Sequence, residues 1–166
     1  MSIALIPGSF DPMTLGHLDI VRRVAAKYGE VVVAVMNNEN KQYSHTMEER
    51  LEMARLTVGD LPGVRVIADS GLLVDLFERL GADVIVKGVR NESDRAYEEK
   101  MAQWNLAHNP RAKTVLLEAD ENLIGVCSTA AREKIRQGIA PHGILAERVI
   151  DYLIRKGELP AKEENV

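Results

Sequence analysis

Short apolar runs rich in β-branched residues alternate along this chain with segments of helical periodicity. The runs predict five strands, over residues 3–6, 31–36, 64–68, 83–87 and 114–117. The segments that separate and follow them predict helices, over residues 17–28, 47–58, 72–80, 94–108, 128–138 and 145–156. Strands and helices that alternate in this way form a parallel sheet covered by helices. The sequence therefore predicts a doubly wound, Rossmann-like α/β fold with helices on both faces of the sheet.

The element boundaries and the domain limits can also be predicted. Gly88 is expected to end the fourth strand, and Ser128 is expected to be the N-cap of the fifth helix. No long linker divides the chain, so we expect a single domain over residues 1–160. A frayed tail is expected over residues 161–166.

The composition excludes several classes of protein. The chain of 166 residues carries 21 Lys and Arg against 25 Asp and Glu, a net charge of −4. General nucleic-acid binding needs a basic surface, which this balance does not favour. We expect no signal peptide, no apolar run is long enough to span a membrane, and the single cysteine, Cys127, excludes an internal disulfide. We therefore expect a cytoplasmic protein with neither nucleic-acid nor membrane partners.

The loop after the first strand is the stretch most informative about chemistry. It leads into the first helix, where a bound phosphate meets free backbone N–H groups. It has neither the Gly-x-Gly-x-x-Gly dinucleotide fingerprint nor a P-loop. Thr14 and His17 are three residues apart on one helical face, and Gly16 leaves room for a nucleotide against the backbone. The spacing alone is also compatible with a capped helix whose histidine is merely exposed.

The whole loop, from Gly8-Ser9-Phe10-Asp11-Pro12 to Thr14-Leu15-Gly16-His17, resembles the nucleotidylyltransferase superfamily. The mark of that superfamily is a His-x-Gly-His or Thr-x-Gly-His tetrapeptide after the first strand, and the form with threonine is similar to the phosphopantetheine adenylyltransferases. Further matches follow in the family's order, up to about residue 137: Lys41, Lys87-Gly88-Val89-Arg90, Tyr97-Glu98, Asn105 and Cys127-Ser128-Thr129. Two positions depart from the pattern, since Lys87 stands for an arginine and Cys127 for a serine.

The resemblance implies transfer of AMP from ATP to 4′-phosphopantetheine, which gives dephospho-coenzyme A and pyrophosphate in coenzyme A biosynthesis. The catalytic residues would be His17, Lys41 and Arg90. ATP would be bound by Ser9, Phe10, Gly16, His17, Arg90, Glu98, Ser128 and Thr129. Phosphopantetheine would be bound by Ser9, Lys41, Leu73, Val74, Lys87 and Asn105. The implied cofactor is Mg²⁺, which would arrive with ATP and need no protein side chain as a ligand.

The resemblance further implies a homohexamer and coenzyme A as a feedback ligand. Two alternative functions stay open. The first is a related nucleotidylyltransferase with another acceptor, such as nicotinamide mononucleotide, although Thr14 and the Lys-Gly-Val-Arg segment favour phosphopantetheine. The second is a non-catalytic ATP-binding protein on the same scaffold, although such a protein would be expected to lack His17, Lys41 and Arg90.

The remaining histidines and the tryptophan are expected to have no chemical role. His45, His108 and His142 have no spacing typical of zinc ligands, so structural or exposed positions are expected for them. Trp104 is expected to contribute to packing.

Overall fold

The structure, a computed structural model, describes residues 2–38 and 40–162. Its strands are β1 (Ile3–Gly8), β2 (Glu30–Met36), β3 (Val64–Asp69), β4 (Val84–Val89) and β5 (Thr114–Glu118). Its helices are α1 (Leu15–Ala25), α2 (Met47–Val58), α3 (Leu73–Leu80), α4 (Glu92–His108), α5 (Ser128–Arg136) and α6 (Glu147–Arg155), with a 3₁₀ turn at Glu121–Leu123. Of the tail predicted to be frayed, residues 163–166 lie outside the described residues.

All five described strands pair in parallel, in the order β3-β2-β1-β4-β5. The chain builds outward from β1 to β3 and then returns to the other side of β1 to begin β4. The strand order therefore reverses between β1 and β4. In open α/β sheets a ligand binds outside the carboxyl ends of the strands at such a reversal. The predicted fold class is confirmed, and the topology fixes where a cleft should lie.

The position of β2 between helices on both faces of the sheet explains why its sequence is an unbroken apolar run. All residues from Val31 to Met36 are buried. Val31, Val33 and Val35 belong to the core cluster that contains buried residues of α1 and α2. Val32 and Ala34 belong to the opposite cluster, with buried residues of α3. Since successive side chains point to opposite faces, a strand covered by helices on both sides cannot alternate between apolar and polar residues.

A third apolar cluster joins α6 to the outer side of α2. Met53 of α2 packs there with Leu145, Val149, Ile150 and Leu153, all nearly or fully inaccessible to solvent. Leu159, which follows α6, is buried in the same cluster. The segment after α6 is thus held in the cluster that α6 forms with α2.

β4 is longer than predicted. It runs through Gly88 to Val89, because Gly88 pairs with Leu117 of β5 and Val89 pairs with Glu118. The prediction that Gly88 ends the strand is wrong. A Cβ atom at this glycine would lie 3.2 Å from Cγ1 of Ile20. The missing side chain therefore allows α1 to pack closely on β4.

The N-cap of α5 is Cys127 rather than the predicted Ser128. The Cys127 sulfur accepts a hydrogen bond from the Ala130 N–H at 3.5 Å, so it replaces the oxygen usual at this position. The Ser128 hydroxyl is used elsewhere, because it donates to the Pro12 carbonyl at 2.7 Å. Ser128 thereby ties the start of α5 to the loop between β1 and α1.

α4 is the longest described helix, with 17 residues, and Asn105 is its only fully buried residue. Tyr97, Met101 and Trp104 form an exposed apolar stripe along it. Trp104 stacks on His108 with ring centroids 3.7 Å apart and is 40% exposed, so its predicted packing role is only partial. No helix in residues 2–38 and 40–162 is both long and apolar enough to cross a membrane.

Candidate active site

A large open cavity lies at the carboxyl ends of β1 and β4, where the strand order reverses. Its volume is about 1400 Å³. A site for one small ligand typically measures about 300–1,000 Å³, so this cavity has room for two substrates. Twelve of the thirteen predicted site residues lie on its wall: Ser9, Phe10, Gly16, His17, Lys41, Leu73, Lys87, Arg90, Glu98, Asn105, Ser128 and Thr129.

One predicted ligand position does not reach the cavity. Val74 is 7% exposed and packs with Phe77 in the core cluster between α3 and the sheet. It lies on the inner face of α3, while its neighbour Leu73 lines the cavity. Leu72, at the N-cap of α3, also lines the cavity and is 57% exposed.

His17 occupies the third position of α1, where it closes a capping box with Thr14. The Thr14 N–H donates to Nδ1 of His17 at 2.9 Å, and Thr14 Oγ1 accepts from the His17 N–H at 3.3 Å. Since Nδ1 accepts a hydrogen bond, the proton of the neutral ring is on Nε2. The local sequence Thr-x-x-His thus fixes both the orientation and the tautomer of this side chain.

The electrostatic surroundings keep the His17 ring neutral. Burial, followed by the positive charges of Lys87 and Arg90, lowers the pKa of His17 from 6.5 to about 4. Near neutral pH the ring is therefore a hydrogen-bond donor without a net charge. The imidazolium form, which could act as a general acid, is therefore scarcely populated near neutral pH.

Phe10 holds the ring of His17 from the side. The two rings meet edge to face, with centroids 5.0 Å apart, and Phe10 is 5% exposed. Its backbone φ of 47° lies in the left-handed region, which is unusual for a bulky residue. Its ring lies so close to Gly8 that a Cβ atom there would be 2.8 Å from Cζ. Glycine at position 8 is therefore required for this arrangement.

Gly16 also makes a contact that the sequence did not predict. A Cβ atom at this position would lie 3.2 Å from the Val126 carbonyl oxygen. The space that glycine leaves is therefore used by the segment before α5 in its approach to α1. Gly16 also lies on the cavity wall, so both elements meet at the edge of the site.

Two cations, Lys87 in β4 and Arg90 directly after it, are each paired with a carboxylate of α4. Nζ of Lys87 lies 3.4 Å from Oε1 of Glu98, and Nε of Arg90 donates to Oδ2 of Asp94 at 3.0 Å. Sequence reasoning placed Lys87, Arg90 and Glu98 in the site but did not foresee these pairs. They hold the positive charge at the cavity wall beside His17.

Lys41 and Ser9 lie on the β2 side of the cavity. Lys41 is exposed, and its backbone N–H donates to the Asn38 carbonyl at 3.0 Å. The Ser9 carbonyl accepts a hydrogen bond from the buried guanidinium of Arg50 at 2.9 Å. The Ser9 hydroxyl lies 3.4 Å from the Tyr43 hydroxyl.

α5 directs its N-terminus at the cavity from the opposite side. Ser128 and Thr129 are its first two residues, and the N–H groups at that end of a helix have no intrahelical partner. Thr129 Oγ1 accepts from Arg132 at 3.2 Å. The positive end of the helix dipole and these N–H groups favour an anion at this position.

Arg132 lines the cavity but was not predicted from the sequence. Its guanidinium donates to the Asp11 carbonyl at 2.9 Å as well as to Thr129. The only sequence signal was a basic residue one helical turn after Thr129. Such a residue is usually a solvated surface charge, so the pattern alone could not identify it.

The cytidylyltransferase-like family model matches residues 5–134. The chain belongs to the cytidylyltransferase-like family. It is 40% identical over 163 residues to a phosphopantetheine adenylyltransferase of Rhizorhabdus wittichii, which covers 98% of this chain and 99% of the relative. The enzymes of that name from Clostridium kluyveri and Heliobacterium modesticaldum are 38% and 44% identical, over 94% and 80% of this chain and over 95% and 79% of their own lengths.

The region matched by the cytidylyltransferase-like family contains every element that lines the cavity. It begins within β1 and ends within α5, so α6 and the segment after it lie outside the match. In the part of the chain that the structure describes, no group of three or more His, Cys, Asp or Glu side chains is arranged to hold a metal ion. The matched region therefore contains the whole cavity, whose wall includes the cations Lys87 and Arg90 and the neutral ring of His17.

Proposed function

We propose that the protein transfers AMP from ATP to 4′-phosphopantetheine and releases pyrophosphate. The observation that carries the reaction type is the position of His17, a neutral donor between cations at the strand-order reversal. The acceptor is taken from the relatives named phosphopantetheine adenylyltransferase, whose similarity extends over nearly the whole chain. The product would be dephospho-coenzyme A, an intermediate of coenzyme A biosynthesis.

The chemistry needs positioning more than proton transfer. A phosphate oxygen of the acceptor, already anionic near neutral pH, attacks the α-phosphorus of ATP. One P–O bond forms, and the bond between the α-phosphorus and the bridging oxygen breaks, so that pyrophosphate leaves with the electron pair. No general base is required, and the protein contributes by aligning two polyanions and stabilising charge on the transferred group.

The cavity residues divide between these tasks. His17 donates from Nε2 to an oxygen on the α-phosphorus, where negative charge is concentrated in the transition state. Lys41, at the exposed rim, offsets the charge of the approaching acceptor. Arg90 binds the β- and γ-phosphates, and its planar guanidinium can make two parallel bonds. Lys87 binds the phosphate of the acceptor.

The carboxylate partners of the two cations offset their positive charges within the protein itself. Lys87 is held by Glu98, and Arg90 by Asp94. Substrate phosphates would take over part of these interactions, so the cations are in place before the substrates arrive. The remaining predicted contacts are with ATP for Ser9, Phe10, Gly16, Glu98, Ser128 and Thr129, and with phosphopantetheine for Ser9, Leu73 and Asn105.

A nucleotidyltransferase that acts on ATP generally uses a divalent metal, and we propose Mg²⁺ here. Mg²⁺ prefers oxygen ligands and in such sites is bound largely by substrate phosphates, as the family resemblance implies here. Bound there, Mg²⁺ would offset charge on the triphosphate. Arg90 and the N-terminus of α5 would then bind the phosphate oxygens that the metal leaves free.

Several expectations at the level of the cell and the assembly belong to this proposal. They are a homohexamer, coenzyme A as a feedback ligand, a cytoplasmic location and the absence of nucleic-acid partners. Gel filtration with light scattering tests the first, and inhibition of the transfer reaction by added coenzyme A tests the second.

An acceptor panel tests the proposed function. Purified protein is incubated with ATP, Mg²⁺ and either phosphopantetheine or nicotinamide mononucleotide, and pyrophosphate is measured. We expect release only with phosphopantetheine. Release only with the mononucleotide would support the alternative acceptor, and ATP binding without release in either case would support the non-catalytic alternative.

A further inference from the structure

A buried histidine outside the predicted site joins two distant parts of the chain. His45 lies before α2 and is 5% exposed. Its Nδ1 is 2.9 Å from Oδ1 of Asp11, in the loop between β1 and α1. Its Nε2 is 2.7 Å from Oε1 of Glu158, in the segment after α6. We call Asp11, His45 and Glu158 the His45 bridge.

The partners of His45 determine the protonation state of its ring. An ionised carboxylate can only accept hydrogen bonds, so each ring nitrogen must donate. A neutral imidazole has one N–H and can satisfy one carboxylate at a time. The geometry of the His45 bridge is therefore that of an imidazolium between two carboxylates.

The bridge acts on the loop that shapes the active site. Asp11 is 5% exposed, and its second carboxylate oxygen accepts from the Ser44 N–H at 2.8 Å. Its carbonyl oxygen accepts from Arg132 at 2.9 Å. Asp11 directly follows Phe10, which contacts the His17 ring, and it lies three residues before Thr14, which caps α1. A shift of Asp11 would therefore move both neighbours of His17.

Other charged groups face the bridge from the elements packed around it. Arg50 of α2 is 1% exposed, donates to the His45 carbonyl at 3.2 Å and donates to the Ser9 carbonyl at 2.9 Å. Glu49 of α2 adds a negative charge that acts on His45, and Arg132 of α5 adds a positive charge that acts on Asp11. Of these groups, His45 is the one whose ordinary pKa lies near neutrality.

We propose that His45 is a positioning residue for the transfer reaction, whose imidazolium couples the segment after α6 to the loop carrying Phe10 and Thr14 and releases it when the ring loses its proton. The catalytic part of this inference rests on the proposed function. The structural part, a pH-dependent link between the two segments, does not depend on it.

The direction of the pH dependence follows from the surroundings of the two titrating groups. Burial alone would lower the pKa of His45, but the hydrogen bonds with Asp11 and Glu158 raise it above 6.5. Its contribution to stability is thus complete below pH 6.5 and is lost as the pH rises through the raised pKa. Burial alone would raise the pKa of Asp11, but the hydrogen bonds from His45 and Ser44 lower it, so that contribution is lost only in acid.

Glu158→Gln separates the charge of the bridge from its geometry. The glutamine amide can donate to Nε2, while a neutral His45 ring donates from Nδ1 to Asp11. This variant therefore no longer needs a protonated ring. In the wild type, Tm and kcat should fall as the pH is raised from 6 to 9, relative to Glu158→Gln, whose profile should be flatter. Ratios taken at each pH remove the dependence that both proteins share.

His45→Gln tests the positioning role at fixed pH. The amide cannot bridge both carboxylates, so kcat at pH 6.5 should fall roughly 10- to 100-fold, as expected when catalytic groups are misplaced by about 1 Å. KM for ATP should change less than threefold. The matched control is Glu147→Gln. Nδ1 of His142 lies 2.8 Å from Oε1 of Glu147, and this exposed pair is not part of the cavity wall. The control should leave kcat, Tm and their pH profiles unchanged.

The decisive readouts are Tm against pH and the NMR titration of the His45 ring. Titration above pH 6.5 in the wild type and at lower pH in Glu158→Gln supports the proposal. Parallel Tm and kcat profiles for these two proteins, or wild-type kcat in His45→Gln, would overturn it. A wild type that shows the titration but transfers no AMP would instead refute the proposed function, so the two failures can be distinguished. If His45→Gln does not fold, Glu158→Gln still decides.

Discussion

His17 shows how one residue gains a chemical state from its local backbone. The capping box with Thr14 uses its Nδ1, which leaves Nε2–H as the group that faces the ligand. The cations beside it, Lys87 and Arg90, contribute to keeping the ring neutral. A donor prepared in this way stabilises developing charge without a proton transfer.

Replacing His17 by alanine should affect turnover far more than binding. Loss of one donor that acts in the transition state costs about 10²–10³ in kcat. The dissociation constant for ATP, measured by calorimetry, should change much less. His142→Ala is the control, since His142 is exposed and outside the cavity. A His17→Ala enzyme that retains more than about half of the wild-type turnover would contradict the assigned role.

Lys87→Ala should raise KM for phosphopantetheine by about tenfold or more, because a contact between an ion and a phosphate worth about 1.5–3 kcal/mol is lost. In the wild type, the Glu98 carboxylate lies 3.4 Å from Nζ of Lys87. The variant leaves this carboxylate without its cation and beside the acceptor phosphate. Lys87→Ala/Glu98→Gln removes that repulsion and should recover part of the loss. Steady-state kinetics at saturating ATP measure both effects, and Lys87→Arg should stay active.

An unchanged acceptor KM in Lys87→Ala would mean that other groups hold this phosphate. Equal KM values in the single and double variants would mean that Glu98 does not act on the acceptor.

At the scale of elements, the site depends on how closely α1 packs on β4. Gly88 allows this contact, since a Cβ atom would lie 3.2 Å from Ile20. α1 carries His17 and β4 carries Lys87, so their separation sets the geometry of the reacting groups. The close approach therefore connects sheet packing to catalysis.

Gly88→Ala should lower stability by about 1–3 kcal/mol, because the added methyl group overpacks the contact between α1 and β4. Chemical denaturation measures this loss. Gly125→Ala is the control, since a Cβ atom there meets nothing within 4 Å, and it should be neutral or slightly stabilising. Equal stability of the two variants would show that Ile20 can move aside.

The elements that could be predicted are those whose signals are local. The buried run of β2 and the capping box of Thr46 and Glu49 at α2 act over a few residues, and the structure has both. The Cys127 cap was missed because sulfur is a rare acceptor at that position. The His45 bridge joins residues 113 apart in the chain, so no spacing rule could indicate it.

The residues of the candidate site could also be predicted only in part. His17, Lys87 and Arg90 stand at fixed places near the carboxyl ends of strands, so a family pattern locates them. Arg132 could not be identified, because its contacts depend on how α5 packs against the loop between β1 and α1. Val74 was assigned to the cavity because the pattern gives a position along α3 but not which face of the helix is buried.

At the scale of the whole molecule, α6 forms a layer outside the elements that line the cavity. It packs on α2 through Val149, Ile150 and Leu153, and the segment after it supplies Glu158 to the loop of the active site. A continuous path of contacts therefore connects the described sheet, through α2, to α6. This path supports the prediction that residues 1–160 form one domain.

Unfolding in denaturant should occur in one transition if that prediction is correct. Far-UV circular dichroism follows the helices, and the fluorescence of Trp104, the chain's single tryptophan, follows the wall of the cavity. The two curves should have the same midpoint and the same slope. Separate midpoints would mean that the cavity and the rest of the chain unfold independently.

The central claim is that the protein cleaves ATP at the α-phosphorus and joins AMP to a phosphate of the acceptor. ³¹P NMR of a reaction with ATP, Mg²⁺ and phosphopantetheine tests it most directly, since each phosphorus is observed. The account predicts loss of the acceptor's monoester signal, appearance of a new diphosphate ester and an equal amount of pyrophosphate, with no signal from ADP. Formation of ADP, or ATP that stays unchanged beside intact phosphopantetheine, would contradict it.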